Sequence, residues 1–580
     1  KMPYETVFRA PLEIADGQAT ISWLNNDKGF QLDGRNIDVK AKAVHARGGF
    51  RYLQPANDEP WLGILAGIST DDGSQAWRYF PENLMGKDLV DYLSGAIQGG
   101  EADNATLVYG GNPQLFPYKH NEGQFEVLVP LRNAKFAFQP DWPALTNLDI
   151  ELDFINDGLW MKTDGVNLGG VRASNLTAVI PDYSKEKLLI DADIKGPGKA
   201  VGPYFDETPL KDSLGATLQE LQLDGDVNAR LHLDIPLNGE LVTAKGEVTL
   251  RNNSLFIKPL DSTLKNLSGK FSFINGDLQS EPLTASWFNQ PLNVDFSTKE
   301  GAKAYQVAVN LNGNWQPAKT GVLPEAVNEA LSGSVAWDGK VGIDLPYHAG
   351  ATYNVEMNGD LNNVSSHLPS PLAKPAGEPL AVNVKVDGNL NSFELTGQAG
   401  ADNHFNSRWL LGQKLTLDRA IWAADSKTLP PLPEQSGVEL NMPPMNGAEW
   451  LALFQKGAAE SVGGAASFPQ HITLRTPMLS LGNQQWNNLS IVSQPTANGT
   501  QVEAQGREIN ATLAMRNNAP WLANIKYLYY NPSVAKTRGD STPSSPFPTT
   551  ERINFRGWPD AQIFFFSSRR RHTRCYRDWS

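Results

Sequence analysis

The sequence predicts a mainly β protein: an elongated array of repeated antiparallel β modules forming a long curled sheet with an apolar groove, interspersed with short amphipathic helices. Three observations carry this expectation. Apolar and polar residues alternate along most of the chain, tight-turn pairs bound the alternating runs, and whole strings of residues return at a fixed offset.

The strands follow from the alternation. Successive strand side chains point to opposite faces, so a half-buried strand reads apolar, polar, apolar. Leu148, Ile150, Leu152 and Phe154 alternate with Asp149, Glu151 and Asp153. Val227, Ala229, Leu231, Leu233 and Ile235 alternate with Asn228, Arg230, His232 and Asp234, and Leu380, Val382, Val384 and Val386 do the same around Asn383, Lys385 and Asp387. Similar runs occur at 37–43, 125–129, 188–194, 292–296, 305–311 and 509–513. Pairs such as Asp224-Gly225, Asn275-Gly276 and Asp387-Gly388 suit tight hairpins. The reading is antiparallel sheet with one apolar and one wet face.

Short helical stretches interrupt the strands. Met85, Leu89, Tyr92, Leu93, Ala96 and Ile97 share one helical face. The same spacing groups Leu210, Leu214, Leu218 and Leu221, then Leu323, Val327, Ala330 and Leu331, then Trp450, Leu451 and Phe454. Between them the sequence repeats in detail. Leu131-Arg132-Asn133 returns 119 residues later as Leu250-Arg251-Asn252. Without a gap, Pro140 matches Pro259, Leu145 matches Leu264, Asn147-Leu148 matches Asn266-Leu267, and Phe154-Ile155-Asn156 matches Phe273-Ile274-Asn275. Trp486-Asn487-Asn488-Leu489 echoes the Asn-Leu start a third time.

A repeat on the order of 120 residues, with one helix per repeat, predicts serial modules. A partial β module spans 1–80, and full ones span 81–205 (helix near 83–97), 206–320 (helix near 208–221), 321–435 (helix near 323–331) and 436–530 (helix near 447–456). Residues 531–563, with a Ser/Thr/Pro stretch at 540–550, read as a linker and the start of a next module.

The segment 564–580 differs from the rest. Its string from Phe564 to Ser580 resembles the conceptual translation of a sequencing adaptor, is read as a non-native tail, and is set aside. It holds Cys575, the only cysteine of the chain. A cysteine-free remainder suits an oxidising compartment. The chain opens at Lys1 without a signal-peptide pattern and reads as an internal piece of a longer protein.

Composition excludes several functions. Fifty basic against 63 acidic residues give a net charge of −13, which disfavours nucleic acid. No run approaches the roughly 18 apolar residues of a membrane-spanning helix. His45, His120, His232, His348, His367, His404 and His471 are not paired at metal-ligand spacing, so no metal is expected. There is no phosphate-binding glycine loop and no Gly-x-Ser-x-Gly. Asp71-Asp72 sits in a Ser/Thr/Gly loop and reads as a solvated turn rather than a catalytic pair. No catalytic residue and no cofactor are predicted.

Whole strings resemble the bacterial AsmA-like superfamily. They are Asn36-Ile37-Asp38-Val39, the stretch from Phe80-Pro81-Glu82-Asn83-Leu84 to Ser94-Gly95-Ala96-Ile97, Asn446-Gly447-Ala448-Glu449-Trp450-Leu451, and Ile525-Lys526-Tyr527-Leu528-Tyr529-Tyr530-Asn531-Pro532. The resemblance covers residues 1–563 and lacks the family's N-terminal inner-membrane helix and C-terminal portion. It implies a bridge-like lipid transfer protein that faces the periplasm of a double-membraned bacterium and is anchored, at full length, in the inner membrane. Its cargo would be phospholipid, moved from inner to outer membrane in support of the outer-membrane barrier. Both membranes would be reached through parts missing here, and protein partners stay undetermined.

The candidate groove lining is Phe136, Phe138, Leu148, Ile150, Leu152 and Phe154, with Val227, Leu231, Leu233, Phe271 and Phe273 in the next module. Two other readings stay open. One is a non-catalytic envelope scaffold whose apolar faces pack on themselves. The other is a carbohydrate-active β-solenoid enzyme, which the even spread of acids along the polar faces disfavours.

Overall fold

The computed structural model describes residues 8–531, apart from 209–210, 212–214, 239, 259–261, 322, 461–465 and 468, together with 552–556 and 562–564. The predicted linker and the adaptor-like tail therefore fall almost wholly outside the described residues, as do Leu210 and Leu214. The chain is mainly β and mostly antiparallel, with a few short helices, and it divides into two compact units. One comprises 1–285 with 296–305, the other 286–295 with 306–580.

The first unit is a meander. It begins with β1 (Ile14–Asn26), β2 (Gly29–Ala41), β3 (Val44–Pro55) and β4 (Trp61–Thr70), then the helices α1 (Glu82–Met85) and α2 (Lys87–Ala96). It continues through β5 (Ile97–Gly111), β6 (Gln124–Phe136), β7 (Leu145–Ile155), β8 (Gly158–Leu168), β9 (Val171–Ile180) and β10 (Lys187–Pro197). Each of these strands pairs antiparallel with the next. After α3 (Val201–Phe205) and α4 (Ala216–Glu220) come β11 (Leu221–Asp224), β12 (Asp226–Pro236), β13 (Thr243–Ile257), β14 (Ser262–Ile274) and β15 (Asp277–Ser280). Leu221, assigned to a helical face by spacing, instead opens β11 and pairs with Ile257.

The 119-residue repeat is a repeat of backbone geometry. Asn133, Asn147 and Asn156 hold φ of 48°, 52° and 50°, and their counterparts Asn252, Asn266 and Asn275 hold 54°, 53° and 54°. Asparagine tolerates this left-handed region better than other side chains that carry a Cβ. Its amide also replaces a ladder bond. Asn156 Oδ1 accepts the Phe125 N–H at 2.9 Å, and Asn275 Oδ1 accepts the Ala244 N–H, 119 residues on, at 2.8 Å. The β6–β7 register shifts between Leu131 and Ala134, and the β13–β14 register between Leu250 and Asn253. Such bulges bend a strand locally and increase its twist.

Of the predicted face, Leu89, Leu93 and Ala96 are buried in α2, while Met85 ends α1 and Ile97 opens β5. Val90, outside that face, is 0% exposed, and these residues share one apolar cluster with Leu131, Leu148, Ile150 and Leu152 of the sheet. β16 (Leu283–Trp287), β17 (Gln290–Glu300), β18 (Ala304–Trp315) and the single turn α5 (Glu325–Asn328) follow in the chain.

The second unit contains β19 (Leu331–Ser332), β20 (Val335–Pro346), β21 (Thr352–Asp360), β22 (Ser365–Ser366), β23 (Ala381–Asn389), β24 (Ser392–Ala399), β25 (Asn403–Leu410) and β26 (Leu415–Ala424). Then come β27 (Gly437–Asn441), β28 (Met445–Asn446), α6 (Gly447–Glu460), β29 (Ala466–Ser467), β30 (Ile472–Leu481), β31 (Gln484–Thr496), β32 (Gly499–Gln505), β33 (Ile509–Arg516) and β34 (Trp521–Leu528). β20, β21, β23, β24, β25 and β26 pair antiparallel in that order, while β19 pairs with β22 alone. The ladder then turns parallel, β26 with β27 and β27 with β30, before β30 to β34 resume the meander. A parallel pair cannot be joined by a hairpin and needs a crossover: residues 425–436 connect β26 to β27, and a segment that includes α6 connects β27 to β30. Asn446 caps that helix: its Oδ1 accepts the Ala448 N–H at 3.1 Å and its amide donates to Glu449 Oε1 at 2.7 Å.

Candidate functional site

Residues directly opposite one another in a ladder point to the same face, so the registers can be followed from strand to strand as rungs. In the second unit one rung runs Gly339, Met357, Val384, Gly397, Phe405, Trp422, Leu440, Leu474, Ile491, Ala504, Ala511, Ile525. It crosses twelve strands without a polar side chain. The next rung runs Val341, Val355, Val386, Leu395, Ser407, Ala420, Val438, Ile472, Ser493, Val502, Leu513, Ala523, with two serines its only polar residues. Most of these side chains are half-buried rather than sealed.

The opposite face is polar in the same registers. Lys340, Glu356, Lys385 and Thr396 lie side by side, as do Asp338, Asn358, Asn383 and Gln398. Asn383 donates to Asn358 Oδ1 at 2.7 Å, Lys385 approaches Glu356 at 3.5 Å, and Arg475 donates to Glu439 at 2.9 Å. Exposed pairs of this kind contribute little to stability. Their effect is to keep that face wet.

The predicted groove residues all lie in the first unit and also fall on rungs. Leu152 belongs to Val129, Leu152, Met161, Ala178, Ile190, Leu233, Ala244. Phe154 belongs to Ala66, Leu107, Val127, Phe154, Leu159, Ile180. Ile150 faces Leu131, and Leu148 faces Ala134. Phe136, Leu148, Ile150 and Leu152 are buried in the cluster that includes α2, with Phe138, Phe154 and Leu233 partly buried against it. The Phe80 and Phe154 rings lie 6.3 Å apart, and Tyr92 Oη donates to the Phe138 carbonyl at 3.1 Å. Further along, Leu231 faces Gly246 and Phe273, Val248 faces Phe271, and Val227 faces Leu250. There Val227, Leu231, Phe271 and Phe273 are half-buried.

Sequence reasoning passed over Met357, Phe405, Trp422, Leu440 and Leu474 as candidates. The alternation at 380–386 was a usable signal for this face, but Val438-Glu439-Leu440 and Ile472-Thr473-Leu474 are too short to stand out alone. Among the described residues no three His, Cys, Asp or Glu side chains gather to hold a metal ion. No helix among them is long and apolar enough to cross a membrane.

A sheet with one continuous apolar face and one polar face offers non-directional contact to an apolar chain and little to a polar substrate. The sequence model of the YhdP protein family matches residues 1–564. The chain belongs to the YhdP family. It is 99% identical over 563 residues to the intermembrane phospholipid transporter YhdP of Escherichia coli (strain K12). That match covers 97% of this chain and 44% of the relative, so the chain spans less than half the length of that YhdP protein. No solved structure matches.

Proposed function

We propose that this chain is part of a conduit that moves phospholipid between the inner and outer membranes, with acyl chains lying on the apolar rungs and headgroups left in water. The twelve-strand rung from Gly339 to Ile525 is the observation that carries this reading. An acyl chain of about 16 carbons costs roughly 12 kcal/mol when exposed to water, at about 0.8 kcal/mol per methylene. A continuous apolar face removes most of that barrier. Because Val, Leu, Ala and Gly contacts are weak and uniform, the open stretch of the rung does not trap the lipid. The role is non-catalytic, and the chain works facing the periplasm within a longer protein anchored in the inner membrane, where it supports the outer-membrane barrier.

A self-packed scaffold is favoured by one observation: the apolar face of β6 to β10 is buried in a cluster with α1 and α2. On the conduit reading that stretch is bracing, and Val227, Leu231, Phe271 and Phe273 with the second unit's rungs carry the lipid.

Native mass spectrometry after gentle purification separates the two. The conduit reading expects several phospholipids per chain, lost in a Val384→Asp, Leu395→Asp variant that keeps its β circular dichroism. Absence of lipid from the wild-type protein moves the reading to the scaffold.

A further inference from the structure

In the second unit the apolar rung is open until it meets α6. There the first turns of the helix stand over Trp422, Leu440 and Leu474, three consecutive rung residues, and with them line a half-open pocket of about 260 Å³. The walls are completed by Met442, Met445 and Leu479 from the sheet side, and by Gly447, Trp450 and Leu451 from the helix. Every lining side chain is apolar or aromatic. The one polar group of Trp450 is directed elsewhere, its Nε1 donating to the Ser370 carbonyl at 3.0 Å, while its ring meets that of Trp422 edge to face at 6.4 Å.

Water needs two to four polar partners to occupy a cavity, and an engineered apolar cavity of about 150 Å³ stays dry and takes up benzene. The half-open pocket under α6 likewise offers water few polar partners, so its apolar lining favours an apolar guest. Met442 and Met445 suit a guest without fixed shape, because unbranched thioethers repack easily.

We infer that the half-open pocket beneath α6 is a helix-covered acyl-chain site, where one tail of a phospholipid leaves the open rung and is held between helix and sheet. This rests on the conduit reading and adds to it a defined point of closure. A tail moving along the rung from Phe405 towards Ile491 must pass Trp422, Leu440 and Leu474 under the helix. The contact there is two-sided, whereas elsewhere on the rung it is one-sided.

The test places a photoreactive residue at Leu479, on the cavity wall, or at Val384, on the open face, in the protein as produced in the envelope of living cells. Adducts are identified by mass spectrometry after irradiation. Phospholipid adducts are expected at both positions. Leu474→Trp, which fills the cavity, should reduce the Leu479 adduct at least tenfold and leave the Val384 adduct in place. If Leu474→Trp also loses the Val384 adduct, Leu451→Trp fills the space from the helix side and is read by the same criterion. An adduct at Val384 alone overturns the inference and leaves the conduit standing. Adducts at neither position overturn both, and a Leu479 adduct indifferent to filling overturns the helix-covered site.

Discussion

Glu508, only 4% exposed, takes both donors of Asn487: the backbone N–H at 2.6 Å and the side-chain amide at 2.7 Å. The Asn531 amide adds a third donor at 3.1 Å, so one carboxylate ties the Trp486-Asn487-Asn488-Leu489 string to Tyr529-Tyr530-Asn531. Burial pushes the Glu508 carboxyl upward, but these donors together outweigh it and hold the pKa below the ordinary 4.5. A lowered folded-state pKa means the clasp is fully stabilising above the ordinary value and is lost as pH falls through the folded one. Protection of the Asn487 amide from exchange, relative to the unfolded chain at the same pH, should therefore be high at neutral pH and fall as the pH drops below the ordinary carboxylate range. Glu508→Gln should abolish that pH dependence and destabilise the unit by about 1–3 kcal/mol.

Asn156 and Asn275 make the same bond one repeat apart, so they should respond alike. Asparagine to alanine loses the side-chain acceptor and places a Cβ residue at positive φ without compensation, for an expected cost of about 1–3 kcal/mol at each site. Asparagine to glycine keeps the backbone conformation and should cost less. Denaturant unfolding of the four variants checks the order, and a glycine variant weaker than its alanine counterpart would contradict it.

Leu159 and Val384 both sit on apolar rungs, but on differently covered faces. Leu159 is fully buried, so Leu159→Ala should cost about 2–5 kcal/mol. Val384 is half-buried on the open rung, so Val384→Ala should cost under about 1.5 kcal/mol. Equal losses in thermal or urea unfolding would mean that the second unit's face is as closed as the first.

Gly397 lies beneath the Phe405 ring, whose Cζ comes within 1.9 Å of where a Cβ would stand. Gly397→Ala should force the ring off the rung and destabilise by about 1–3 kcal/mol. Phe405→Leu in the same chain should recover most of that loss, which a double-mutant cycle measures.

Asn446→Ala removes the cap of α6 and should cost about 1 kcal/mol. Exchange should quicken in the first turn of the helix while β26 and β30 remain protected.

Alternation revealed the strands because a half-buried strand is a two-residue pattern wherever it lies. The repeat was legible for a chemical reason: Asn133, Asn147 and Asn156 sit where left-handed backbone is required, so their counterparts kept the same residue. What covers each face was not legible. Leu152 and Val384 read alike, and only the docking of α2 on one of them makes the difference. The helical spacing at 323–331 yields a single turn, because Leu331 is drawn into β19 and pairs with Ser366. The parallel pairing of β26, β27 and β30 was hidden too, since a strand's alternation does not depend on its neighbour's direction.

That parallel stretch also sets an order on how the chain can assemble. Most hairpins of the meander close over a few residues and are ready as soon as their second strand is made. Val438, by contrast, finds Ile472 only after α6 and its flanking segments have been synthesised and folded back. Loop closure over such a separation slows pairing relative to a hairpin. The β27–β30 seam is therefore the late-forming joint of the second unit, and until it closes, Trp422, Leu440 and Leu474 stand exposed on the unfinished edge.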